Sequence, residues 1–248
     1  MKGFRTITLL LALFWGGPAL AEHLRLAGDS WPPFTDQRLP GNGLAADLVS
    51  TALQRAGHTT EYVEVPWARV LRGLQQGDYD VIVAAWYSTE RTRFGLFSDP
   101  YLVNRIRFLQ HRRTHIRFAS LADLRPYSIA VVRGYSYASA FDQDASLSKV
   151  PVLEFAMGAR MLAAGRVQLV VEDELVAQHY LNRELSEVRS GLEFLPQPLS
   201  ANGLHILVRR SHPLHQQVAQ DFNREIEAMR EDGTYARIYQ RHGLRLQE

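Results

Sequence analysis

Apolar and polar positions divide the chain into short strands and amphipathic helices from residue 23 onward. Residues 23–27 form a short apolar strand that runs into Gly28-Asp29-Ser30-Trp31-Pro32-Pro33-Phe34, where two prolines end regular structure. Leu44, Leu48 and Ala52, with Val49, Leu53 and Ala56, recur at helical spacing over 44–56, and Gly57 marks the stop. The pattern then predicts a strand at 61–65 and a helix over 67–76 with Val70, Leu71 and Leu74 on one face. A nearly continuous apolar run at 79–85 follows, the mark of a strand covered on both faces. Strands alternating with helices imply a parallel sheet with crossover helices.

A second unit follows a long strand at 101–110. It comprises a helical turn at 121–124, a strand at 128–132 and a glycine turn, Gly134-Tyr135-Ser136-Tyr137, expected to open a helix. Strand, helix, strand and helix are predicted at 150–155, 156–164, 167–171 and 173–181. A return strand at 203–208 precedes helices at 215–230 and 234–241. Two α/β units joined by two extended crossings predict two lobes, each a mainly parallel sheet flanked by helices, with a cleft between them. The expected boundaries are 1–21 for a leader, 22–107 plus 203–248 for the first lobe and 108–202 for the second. Ligands in open α/β sheets lie beyond the carboxyl ends of the strands, and hinged crossings let two such lobes close on one ligand.

The leader changes the reading of charge. Lys2 and Arg5, an apolar core at 7–15 and Ala19-Leu20-Ala21 have the form of a cleaved secretory signal. The apolar run falls short of the ~20 residues that span a bilayer, and no later stretch is long enough. The chain has 28 basic and 26 acidic residues, so removing the leader leaves 26 of each. No Lys/Arg run longer than a pair such as Arg112-Arg113 survives, which argues against nucleic acid as a partner. Lys2 and Lys149 are the only lysines, so arginine is the default cation here. The absence of cysteine excludes disulfides, thiolate chemistry and a lipidated Cys anchor. An exported chain of this kind is expected free in the periplasm, as a monomer.

Candidate chemistry concentrates in residues 66–99, which hold Trp67, Trp86, Tyr87 and Arg91 near the ends of a helix and a buried strand. Aromatic faces cover an apolar body, and a guanidinium grips a carboxylate through two parallel hydrogen bonds. Nothing there supplies an obvious nucleophile or metal ligand. His212 and His215 are three apart, but Pro213 lies between them and no third ligand accompanies them. No GxSxG, HExxH or phosphate loop occurs, and no cofactor is expected.

Ordered motifs over residues 24–243 carry a resemblance. They are GDSWPPF, GLAADLVSTALQRAG, PWARVLRGLQQGDYDVIV, STERTRFGLFSDPY, SLADLRPYSIAVVRG, LAAGRVQLVVEDELVAQ and EDGTYARIYQRHGL. In that order the chain resembles the periplasmic solute-binding proteins of polar amino acid ABC transporters, bacterial extracellular solute-binding family 3. The resemblance implies a two-lobed clamp that closes on a small polar ligand and delivers it to an ABC permease in the inner membrane. Arg91 matches the family's carboxylate-binding arginine; a surface ion pair with Glu90 or Asp99 is the plain alternative. Asp173 matches the ammonium-binding acid, or caps the helix that it opens. Asp29 supplies a second carboxylate or a turn. Trp31 and Trp67 resemble aromatic walls, and Arg69 sits one helical residue beyond the PW pair. Gly134, Tyr135 and Ser136 would offer free N–H groups at a helix start to an anion.

One position departs from the family. Trp86 stands where amino-acid binders carry a small hydroxyl residue, followed by Tyr87 and Ser88. Either the ligand is a different acid or amine, or Trp86 turns aside into a lobe core. The rival to a non-enzymatic receptor is a lyase on the same scaffold resembling cyclohexadienyl dehydratase, with Glu172 or Asp173 as general acid.

Overall fold

In a computed structural model describing residues 22–244, ten strands join into one sheet that passes through both lobes. The first lobe begins with β1 (His23–Gly28), α1 (Leu44–Arg55), β2 (Thr59–Glu64), α2 (Trp67–Gln76) and β3 (Val81–Trp86). β1 runs parallel to both β2 and β3, as crossover helices require. α1 turns Leu44, Leu48, Val49, Ala52 and Leu53 into the core, the Leu and Val side chains each worth about 1.5–3 kcal/mol when fully buried. α2 covers the other face, packing Trp67, Val70 and Leu74 near Ala27, Ile82, Ala85 and Leu207. It stops at Gly77, whose φ of 87° is the left-handed cap that glycine takes without a Cβ clash.

The chain leaves this lobe through β4 (Gly95–Phe97) and the ten-residue β5 (Leu102–His111). The second lobe holds β6 (Ser128–Val132), α3 (Ser139–Gln143), β7 (Ser148–Val152), α4 (Phe155–Ala163) and β8 (Leu169–Asp173). It continues with α5 (Glu174–Asn182), α6 (Ser186–Arg189) and β9 (Leu192–Phe194). β6 is parallel to β7 and β8. β10 (Ser200–Arg209) returns to the first lobe, which α7 (His215–Glu231) and α8 (Thr234–Arg241) complete.

The sheet order is β2-β1-β3-β10-β5-β8-β6-β7, with β4 on β10 and β9 on β5. β5 changes partners along its length. Leu102–Ile106 pairs antiparallel with β10, and Ile106–Gln110 pairs antiparallel with β8. Ile106 therefore belongs to both ladders, opposite Ser200 on one side and Asp173 on the other.

Several boundaries differ from the sequence expectation because pairing decides them. The strand expected at 61–65 starts at Thr59, in register with His23. The strand expected at 150–155 lies at Ser148–Val152, aligned with β6, and Phe155 opens α4 instead. The strand expected at 167–171 is shifted to Leu169–Asp173 by its ladder with β5. The return strand extends to ten residues, because it pairs with β5 before it reaches β3. The glycine turn does not open a helix directly. α3 starts only at Ser139, and the Tyr135 N–H already donates to the Val132 carbonyl at 3.2 Å. The turn therefore stands apart from the helix start, and of its N–H groups that of Tyr135 is already taken up. The expected leader at 1–21 lies outside the described residues. No helix among the described residues is long and apolar enough to cross a membrane.

Candidate ligand-binding site

β1 and β3 run parallel, as do β6 and β8, but three antiparallel steps through β10 and β5 set the two pairs in opposite senses, so their carboxyl ends face each other across one gap. β1 leads to Asp29 and Trp31, β3 ends in Trp86, β6 leads to Tyr135 and Ser136, and β8 ends in Glu172 and Asp173. Asp29, Trp31, Trp67, Ala84, Trp86 and Arg91 of the first lobe line a cavity of about 280 Å³ with Leu204, Tyr135 and Ser136. Only about 20 Å³ of that space admits a water-sized molecule, so the lining side chains nearly fill it and an amino acid enters only when they move.

Arg91 is 5% exposed, and its guanidinium joins the lobes. Nη1 donates to the Trp86 carbonyl and Nη2 to the Gly134 carbonyl, each at 2.8 Å. The Trp67 ring lies 5.0 Å from its central carbon, within cation–π range. The surface ion pair with Glu90 or Asp99 does not form; Asp99 accepts from Asn223 instead. Burial pushes the Arg91 pKa down to about 10, against the nearby Glu90 charge, so the group keeps its charge at neutral pH.

The tryptophans are walls with polar anchors. Trp67 Nε1 donates to the same Gly134 carbonyl at 3.0 Å, filling that oxygen's second lone pair. Trp31 Nε1 donates across the gap to Glu172 Oε1 at 3.2 Å. Trp86 faces the cavity rather than a remote core: Nε1 is held by Asn104 Oδ1 at 2.9 Å, and its ring meets Trp31 edge-on at 5.4 Å. Tyr135 reaches in from the second lobe with ring centroids 5.9 Å from Trp67 and 5.5 Å from Trp86. Its hydroxyl donates to Asp29 Oδ2 at 3.1 Å. Burial raises the Asp29 pKa to about 6, although the Tyr135 hydrogen bond opposes the shift.

The two acids at the end of β8 point to different places. Glu172 is fully buried; Oε1 accepts from Trp31 and, at 2.8 Å, from the Asp173 N–H, while Oε2 has no partner. Burial raises its pKa to about 8, offset by these hydrogen bonds and reinforced by the Asp173 and Asp29 charges. Asp173 Oδ1 instead caps α5, accepting from Leu175 N at 2.8 Å and Val176 N at 3.0 Å. Its side chain borders a separate groove with Arg105, Tyr235 and Tyr239, outside the aromatic cavity. Burial raises its pKa to about 7.

Arg69 is exposed on α2 and does not line the cavity. Ser88 faces an outer groove of about 1,220 Å³ with Thr89, Glu90, Ser139 and Asp142. That groove shares Trp86, Tyr135 and Ser136 with the inner cavity. The sequence marks Glu172 only as a candidate acid for the lyase. Its place beside Trp31 depends on where β8 ends, which neighbouring strands decide. No cluster of three or more metal-ligating side chains occurs among the described residues.

Known proteins share this fold. The model of bacterial extracellular solute-binding proteins, family 3, matches residues 24–245. A putative ABC transporter arginine-binding protein 2 of Escherichia coli K12 is 24% identical over 240 residues, covering 94% of this chain and 96% of its own. An arginine-binding periplasmic protein of Mannheimia haemolytica is 23% identical over 241 residues, covering 93% and 95%. The solved structure of an ancestral arginine-binding protein bound to arginine is 25% identical with a TM-score of 0.73, covering 88% of this chain and 96% of that one. With a family match running through both lobes and the sheet that joins them, the chain belongs to the bacterial extracellular solute-binding proteins, family 3.

Proposed function

We propose that the protein is a periplasmic receptor that captures a cationic amino acid of the arginine type between its lobes and delivers it to an ABC permease. Arg91 takes the ligand carboxylate, Trp31, Trp67 and Trp86 cover its body, and Asp29 takes a positively charged end. The lobes divide near residues 107 and 203, the leader at 1–21 is removed on export, and the receptor works as a monomer. The observation that carries this reading is Arg91: a charged guanidinium, 5% exposed, that faces carbonyl oxygens and no carboxylate. A buried charge of that kind gains strongly from an anion with bidentate geometry. The arginine-binding relatives favour a ligand with both an acid and a cation.

A thermal-shift screen with L-arginine, other amino acids, polyamines and small carboxylates tests it. A ligand that binds only the native state raises the melting temperature by mass action. L-arginine should raise it, and Arg91→Ala should lose most of the shift. Arg91→Lys should lose much of it too, because an ammonium cannot reproduce the guanidinium fork. A full shift in Arg91→Ala removes Arg91 from the site.

One observation favours the lyase as a second reading. Glu172 is buried with a free Oε2 and a pKa near 8, so at neutral pH it holds a proton it could donate. Incubation with a cyclic dienyl carboxylate such as prephenate separates the readings. Product formation that Glu172→Gln abolishes favours the lyase; recovery of the acid unchanged favours the receptor.

A further inference from the structure

Both charged groups at the cavity already hold partners, and both partners come from two consecutive residues. The Gly134 carbonyl oxygen accepts from Arg91 Nη2 and Trp67 Nε1, where a ligand's carboxylate oxygen would accept. The Tyr135 hydroxyl donates to Asp29, where a ligand's ammonium or guanidinium would donate. The Tyr135 ring stands edge-on to Trp67 and Trp86, where a ligand's flat body would lie. An acceptor, a donor and an aromatic body thus arrive on one turn of the second lobe.

We infer that Tyr135 determines the specificity of the cleft, its turn serving as the chain's own stand-in for ligand that a true ligand must displace. This rests on the receptor reading of the same site. The displaced ring has somewhere to go. Trp86, Tyr135 and Ser136 border both the inner cavity of about 280 Å³ and the outer groove of about 1,220 Å³. Turning the phenol outward joins the two spaces.

Displacement selects by chemistry. A ligand without a donor leaves the Asp29 carboxylate unpaired once the Tyr135 hydroxyl departs, and an unpaired buried group carries its full desolvation penalty. A ligand without an acid cannot replace the Gly134 carbonyl at Arg91. Only a molecule with both, and a body that fits between indoles, restores what it removes. The internal partner also lowers apparent affinity, because only the displaced fraction of the protein can bind.

The test compares wild type, Tyr135→Phe, Tyr135→Ala and Arg91→Ala, each checked for folding by circular dichroism. Small-angle X-ray scattering gives the radius of gyration without ligand. Calorimetry gives the affinity for L-arginine and for glutarate, which has an acid but no donor for Asp29. Unliganded Tyr135→Ala should be more expanded than wild type and contract when L-arginine is added. It should bind L-arginine about tenfold tighter, the effect of releasing one competing hydrogen bond, and should discriminate less against glutarate. Tyr135→Phe keeps the ring and should move the same way by less, so it carries the test if Tyr135→Ala does not fold. Unchanged compactness with equal or weaker L-arginine binding in the Tyr135 variants overturns the inference. If wild type binds no L-arginine, that receptor reading fails while scattering alone still decides: expansion in the Tyr135 variants supports the stand-in, and an unchanged radius rejects it.

Discussion

Glu172 shows how one side chain can make the whole protein sensitive to pH. In the unfolded chain its carboxyl titrates near pH ~4.3, whereas in the fold it holds a proton up to about pH 8, burial being the main cause. Between those values the folded protein binds more protons than the unfolded one, so stability falls as pH rises through that window and levels off above pH 8. Glu172→Gln keeps an acceptor for Trp31 and removes the titration. Melting curves from pH 5 to 8.5 should therefore show the variant gaining on wild type with rising pH, by roughly 1–3 kcal/mol at the upper end. Parallel curves would mean that Glu172 ionises normally in the fold. The sequence singled out Asp173 for the ligand and offered Glu172 only as a possible acid of the lyase. Adjacent strand residues face opposite sides, and the apolar run stops at Val171, so only the ladder with β5 decides which acid turns toward Trp31. The place of Arg91 just past a buried strand was legible from the apolar run and the STERTRF motif that follows it. Its carbonyl partners were not, since one of them belongs to the other lobe.

At the scale of elements, α5 depends on Asp173 as its cap. Two N–H groups of the first turn donate to one carboxylate oxygen, an interaction worth about 1 kcal/mol to a helix. Asp173→Ala should cost that order of stability in denaturant melts, while Asp173→Asn keeps an acceptor and should cost little. Both should retain L-arginine binding, because the Asp173 side chain lies outside the aromatic cavity. Loss of binding in a folded Asp173→Asn would instead make Asp173 a ligand group. The helices of the first unit were legible from apolar periodicity, as α1 and α2 show. β4 and β9, three residues each, were not, because so short a run carries no period and exists only by pairing with β10 and β5. The turn at Gly134 misled for a related reason: glycine signals a break but does not say whether a helix follows at once or five residues later.

Across the whole molecule, every tryptophan of the described residues lines the same cavity. Intrinsic fluorescence should therefore report on the cleft with no background from other sites. Titration with L-arginine should change emission intensity or wavelength, and Arg91→Ala should remove that change. Binding seen by calorimetry with an unaltered emission would place the ligand elsewhere. The two-lobed plan was legible from alternating strands and helices, but one sheet running unbroken through both lobes was not, since cross-lobe pairing leaves no local pattern.

Because Ile106 keeps a neighbour on each side, bending at the crossing need not break main-chain hydrogen bonds. The difference between an open and a shut protein then falls on the handful of side chains and carbonyls that meet across the gap. Mechanics and chemistry are separable in such a design: the lining can be exchanged for another ligand while the strand that bends is left untouched.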